Sequence, residues 1–125
     1  MITRLDHIQL AMPPGGEMQA RTFWSGLLGL SEELKPEPLG SRGGCWFRVG
    51  KVIVHIGVEK EFAPQGKAHP AFCVDDLDGL AQRLKAAGYP VIPDMTLPDR
   101  RRFYTADPFG NRIEFMSDGD GFGQK

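Results

Sequence analysis

The chain contains three histidines, His7, His55 and His69, and each lies in a stretch whose side chains alternate between apolar and polar. In Leu5–Ala11, Ile8 and Leu10 oppose His7 and Gln9; in Lys51–Val58, Val54 and Ile56 oppose Ile53, His55 and Gly57. In His69–Val74, Phe72 and Val74 oppose His69, Ala71 and Cys73, and in Arg112–Met116, Ile113 and Phe115 oppose Arg112, Glu114 and Met116. Successive side chains of a strand leave opposite faces. Three imidazoles and one carboxylate are therefore expected on the face away from the hydrophobic one. Such donors suit a borderline divalent cation (Zn, Ni, Co, Mn or Fe(II)), and the lack of thiolate partners argues against a structural zinc site. The plain reading of any one histidine is a half-buried strand residue bonded to a neighbour. The shared facing of all four groups favours a metal centre of His7, His55, His69 and Glu114. His55 also suits a general base, because imidazole titrates near neutrality. Tyr104 is either a hydrogen-bonding partner for a substrate oxygen or a packed aromatic, and Gln9, Cys73 and Met116 are expected as pocket walls.

These groups need strands to hold them. Besides the four stretches above, short strands are expected at Glu33–Lys35, Gly44–Val49, Val91–Asp94 and Arg102–Ala106. Gly50-Lys51 reads as a hairpin link and Asp107-Pro108-Phe109-Gly110-Asn111 as a turn. In Glu17–Leu28 the residues Ala20, Phe23, Trp24, Leu27 and Leu28 repeat at helical spacing, and Gly29 stands where a left-handed cap is wanted. In Asp76–Ala87 the stripe is Leu77, Leu80, Ala81 and Leu84, capped by Asp75 or Asp76 and stopped by Gly88. The order strand, helix, three strands thus occurs twice in one domain. The modules span about residues 1–60 and 67–117, with a flexible tail at 118–125. His7 and His69 hold equivalent positions in the two halves, as do His55 and Glu114. A pseudo-two-fold axis would bring the four together.

Composition narrows the class. With 125 residues, 41% hydrophobic and 25% charged, the chain reads as one globular domain. A net charge of −1 provides no basic field for nucleic acid, and no apolar run approaches the roughly 20 residues of a membrane helix. Asp6 stands where a secretory leader would be apolar, and two cysteines are too few for a disulfide scaffold, so a cytoplasmic protein is expected. The run Arg100-Arg101-Arg102 either steers an anionic substrate or, more simply, is a solvated loop. Trp24 and Trp46 read as packing residues.

Four segments together resemble the vicinal oxygen chelate superfamily, the glyoxalase, bleomycin-resistance and extradiol-dioxygenase group. They are Leu5-Asp6-His7-Ile8-Gln9-Leu10, Phe23-Trp24-Ser25-Gly26-Leu27-Leu28-Gly29-Leu30, His69-Pro70-Ala71-Phe72-Cys73-Val74-Asp75 and Asp107-Pro108-Phe109-Gly110-Asn111-Arg112-Ile113-Glu114. The resemblance implies an α+β fold of two βαβββ modules forming a cup-shaped mixed sheet, commonly as a homodimer. It places His7, His69 and Glu114 at the usual metal ligands and His55 at a further one. The activity it implies is that of a divalent-metal-dependent glyoxalase-like enzyme, an isomerase or lyase chelating a small oxygen-rich substrate and stabilising its enolate. Ala11 and Glu59 stand where glutathione-isomerising members carry Arg and Asn, and Gln9 where fosfomycin-modifying members carry Thr. Two alternatives follow from the same resemblance. One is an extradiol ring-cleaving dioxygenase, matched by Tyr104 ten residues before Glu114. The other is a metal-free sequestering protein of the bleomycin-resistance type.

Overall fold

A computed structural model of the chain describes residues 1–118, so the expected tail lies outside the described residues except for Asp118. The chain divides into two compact units, Met1–Pro64 and Gln65–Lys125. The first contains β1 (Ile8–Met12), α1 (Glu17–Arg21), β2 (Ser31–Glu33), β3 (Cys45–Val49) and β4 (Val52–Val58). Its sheet has the order β1-β4-β3-β2, with β1 parallel to β4 and the other pairs antiparallel. The second contains β5 (Ala71–Val74), α2 (Leu77–Ala86), β6 (Ile92–Pro93), β7 (Arg102–Ala106) and β8 (Arg112–Ser117). Its order is β5-β8-β7-β6, again with one parallel pair, β5 and β8. The architecture is therefore α+β, with two four-stranded mixed sheets and few helices. Among the described residues, no helix is long and apolar enough to cross a membrane.

Alternation sets which face of each sheet is buried. In the first unit Phe47, Val54 and Ile56 are buried together with Met12, Phe23 and Trp24. In the second, Phe103, Ile113 and Phe115 are buried with Leu77 and Leu84 of α2, which packs on β8. Each such side chain contributes about 1.5–3 kcal/mol on leaving water. The opposite face of each sheet is left to polar groups.

Three expectations need correction. The first helix does not run unbroken from Glu17 to Leu28. After α1 the chain widens into a π-helical turn, Thr22–Leu27, closed by the Leu28 N–H on the Phe23 carbonyl at 3.0 Å. That wider turn carries two adjacent bulky rings, Phe23 and Trp24, both buried and in edge-to-face contact at 5.3 Å. Gly29, at φ +82°, then ends the segment as expected. His7 and His69 stand just before their strands rather than inside them. Pairing of β1 with β4 begins at Ile8, and Pro70, which has no N–H to donate, separates His69 from β5. Finally, the solvated-loop reading of Arg100-Arg101-Arg102 fails at Arg102, which begins β7 where the strand at Arg102–Ala106 was expected and whose side chain is only 13% exposed.

Candidate functional site

The polar face of the first unit's sheet is organised by a cross-strand row in which Gln9 is register partner to His55, and His55 to Trp46. The Trp46 and His55 rings lie parallel within 2°, with centroids 4.0 Å apart. His7 stacks on His55 at 4.2 Å. The His55 imidazole is thus sandwiched between two rings. Burial, and next the neighbouring His7, lower its pKa below the ordinary histidine value of 6.5. His7 Nδ1 meets Asp6 Oδ2 at 2.9 Å, which leaves Nε2 as the nitrogen open to a ligand. A cavity of about 310 Å³ is lined by Gln9, Lys35, Arg42, Trp46 and His55. Gly57 makes room for Gln9, since a methyl group there would stand 2.5 Å from its Nε2.

The second unit repeats this register with different chemistry. Ala71, Glu114 and Tyr104 form one row, and Cys73, Met116 and Arg102 the next. The Glu114 carboxylate is buried, with 6% of its side chain exposed. Its Oε1 lies 3.0 Å from His69 Nε2 and its Oε2 accepts from Arg102 Nη1 at 3.0 Å. His69 Nδ1 faces the Lys67 carbonyl at 2.8 Å. The Tyr104 ring meets His69 edge-on at 5.2 Å, and the Arg112 guanidinium lies over it at 4.1 Å. The Arg100 Nη2 contacts Cys73 Sγ at 3.8 Å and Met116 Sδ at 3.6 Å. Cys73 is exposed; Cys45 is buried, and burial raises its thiol pKa to about 11.

The protons available to the His69–Glu114 pair bear on whether it can hold a cation. A neutral imidazole has one N–H. With that N–H given to the Lys67 carbonyl, Nε2 presents a lone pair to another lone pair on Oε1. The pair is satisfied by a second proton or by a cation bound to both atoms. Two donors about 2.1 Å from one ion and at right angles stand about 3.0 Å apart, which matches the observed spacing. The residues fit.

The expected ligand types occur as pairs: His69 with Glu114, and His7 with His55. Among the described residues, no group of three or more His, Cys, Asp or Glu forms a ready metal cage. Two residues join these pairs beyond the sequence expectations: Arg102 as a partner of Glu114, and Trp46 as a stacking partner of His55. Both were within reach, because Arg102 shares its strand face with Tyr104, and Trp46 alternates with the buried Cys45 and Phe47.

Residues 4–115 match the family model described as Glyoxalase/Bleomycin resistance protein/Dioxygenase superfamily. No curated protein matches the chain. Among solved structures, a protein from Bacillus anthracis assigned to the glyoxalase family is 50% identical, with a TM-score of 0.89 over 94% of this chain and 97% of that one. A mutant of the fosfomycin resistance protein FosX from Listeria monocytogenes, complexed with Mn(II) and 1S,2S-dihydroxypropylphosphonic acid, is 18% identical, with a TM-score of 0.79 over all of both chains. Lactoylglutathione lyase from Agrobacterium tumefaciens is 21% identical, with a TM-score of 0.67 over 93% of this chain and 95% of that one. At those two identities the likeness is one of fold.

Proposed function

Because the chain belongs to the glyoxalase/bleomycin resistance protein/dioxygenase superfamily, we propose that it is a divalent-metal-dependent, glyoxalase-like enzyme of the isomerase or lyase type. Its substrate would be a small oxygen-rich molecule. The observation that supports this reading is the His69–Glu114 pair, whose 3.0 Å spacing suits an imidazole nitrogen and a carboxylate oxygen bound to one cation. His7 and His55 are the further ligand candidates nominated by the sequence repeat. A bound divalent ion would supply Lewis acidity to the substrate's oxygen atoms. Mn(II) in the FosX complex is in keeping with such an ion.

The chain's own residues supply the rest. Where His55 is not a ligand it is the candidate general base: burial and His7 lower its pKa, which favours the imidazole form that can accept a proton. Gln9, register partner of His55, offers an amide donor to a substrate oxygen. Tyr104, whose ring contacts His69, offers a hydroxyl on the second unit's polar row. Cys73 and Met116 line that row's neighbour.

Ring cleavage is the second reading, favoured by Tyr104 as direct register partner of Glu114. A second copy of the chain is the proposed protein partner, and the cytoplasm the proposed location. The test is a substrate panel of thiol–aldehyde adducts and catechols, run with Zn(II), Ni(II), Mn(II) and Fe(II) at controlled oxygen. The proposal expects metal-dependent conversion of an adduct-type substrate without oxygen uptake. Oxygen uptake with catechols would replace it with the dioxygenase reading. Tight ligand binding without turnover or metal would replace it with sequestration.

A further inference from the structure

The proposed cation pair has a third member. Arg102 spans two carboxylates: its Nη1 donates to Glu114 Oε2 at 3.0 Å, and its Nη2 to Asp94 Oδ2 at 3.2 Å and Thr96 Oγ1 at 2.9 Å. Asp94 is itself fixed, accepting from the Thr96 backbone N–H at 3.0 Å and the Thr96 hydroxyl at 2.7 Å. The guanidinium is a rigid planar fork and is always charged, and only 13% of this side chain is exposed. It therefore cannot swing away from Glu114 without breaking both ends of the clasp. Of the two Glu114 oxygens, Oε2 is committed to Arg102 and Oε1 is left facing His69.

We propose that Arg102 is a positioning residue that withholds one oxygen of Glu114, presents the other beside His69, and so keeps this pair a weak and exchangeable donor set. The inference rests on the cation reading given above. Its physical content is a competition. A permanent positive charge against the same carboxylate repels an incoming dication, and the interaction is strengthened by the low accessibility of both side chains. The sign is diagnostic. A residue that merely supports the fold weakens binding when removed, whereas a competing charge strengthens it.

The experiment compares the full chain with Arg102→Met and Arg102→Lys, treated with chelator and then titrated with Mn(II) alone. Free Mn(II) is counted by electron paramagnetic resonance, and heat is measured in parallel. Circular dichroism reports folding. Arg102→Met is expected to bind Mn(II) at least about tenfold more tightly than the wild type, even with a lower melting temperature. Arg102→Lys keeps the charge, but its single ammonium cannot span both carboxylates, so a gain of roughly threefold is expected. It also serves if the methionine variant does not fold. Binding that is unchanged or weaker in the folded variants overturns the inference while leaving the cation reading intact. A wild type that binds no Mn(II) overturns the cation reading, and this inference with it.

Discussion

His55 lies flat against Trp46, with ring planes 2° from parallel and centroids 4.0 Å apart. His7 covers the other face of His55 at 4.2 Å. Two consequences follow: the imidazole is held in one orientation, and its protonated form is disfavoured.

The pH dependence follows from that second consequence. Burial and His7 depress the folded-state pKa of His55 below 6.5, the value expected in the unfolded chain. Between the two values the unfolded state binds more protons, so stability rises with pH across that window. The contribution is fully present above pH 6.5 and is lost as pH falls through the folded-state value. Nuclear magnetic resonance of the metal-free protein should show the His55 ring titrating below 6.5. His55→Gln should flatten this part of the stability–pH curve; an unchanged curve would contradict the assignment.

The turn before β8 should be a stability hot spot. Asp107, 3% exposed, accepts from the Phe109 and Asn111 N–H groups at 2.9 Å through Oδ1, and from Asn111 Nδ2 at 2.9 Å through Oδ2. Asp107→Ala removes these three hydrogen bonds and should destabilise the fold by about 2–4 kcal/mol in denaturant titration. A loss under about 0.5 kcal/mol would show that water replaces the carboxylate.

The two thiols should react very differently. Cys73 is exposed, whereas Cys45 is buried with its pKa raised to about 11. Iodoacetamide at pH 8 should label Cys73 and spare Cys45 in the folded chain, and label both in denaturant, as read by mass spectrometry. Equal labelling of the folded chain would contradict the burial of Cys45.

Much of this architecture was legible because strand alternation and register leave marks in sequence. The equivalence of His7 with His69, and of His55 with Glu114, reappears in the ladders. His7 stands two residues before Gln9, the register partner of His55, and His69 stands two before Ala71, the register partner of Glu114. Asp76 was legible as a cap, and its side chain accepts from the Gly79 N–H at 3.0 Å. The π-helical turn at Thr22–Leu27 was not, because periodicity over so few residues does not separate two adjacent buried rings from an ordinary stripe. Arg102 was hidden by its neighbours. In a run of three arginines it resembles Arg101, which pairs with exposed Asp78, yet it opens the strand expected at Arg102–Ala106 and its side chain turns toward Glu114. Strand pairing, which is non-local, decides between those fates.

The central claim is that His69 and Glu114 bind a divalent cation, and calorimetric titration of chelator-treated protein with Mn(II), Ni(II) and Zn(II) tests it most directly. The wild type should take up about one ion per chain, and His69→Ala and Glu114→Gln should each lower the affinity roughly hundredfold or more while remaining folded. A wild type that binds none of the three ions, or variants that bind them as well as the wild type, would contradict it.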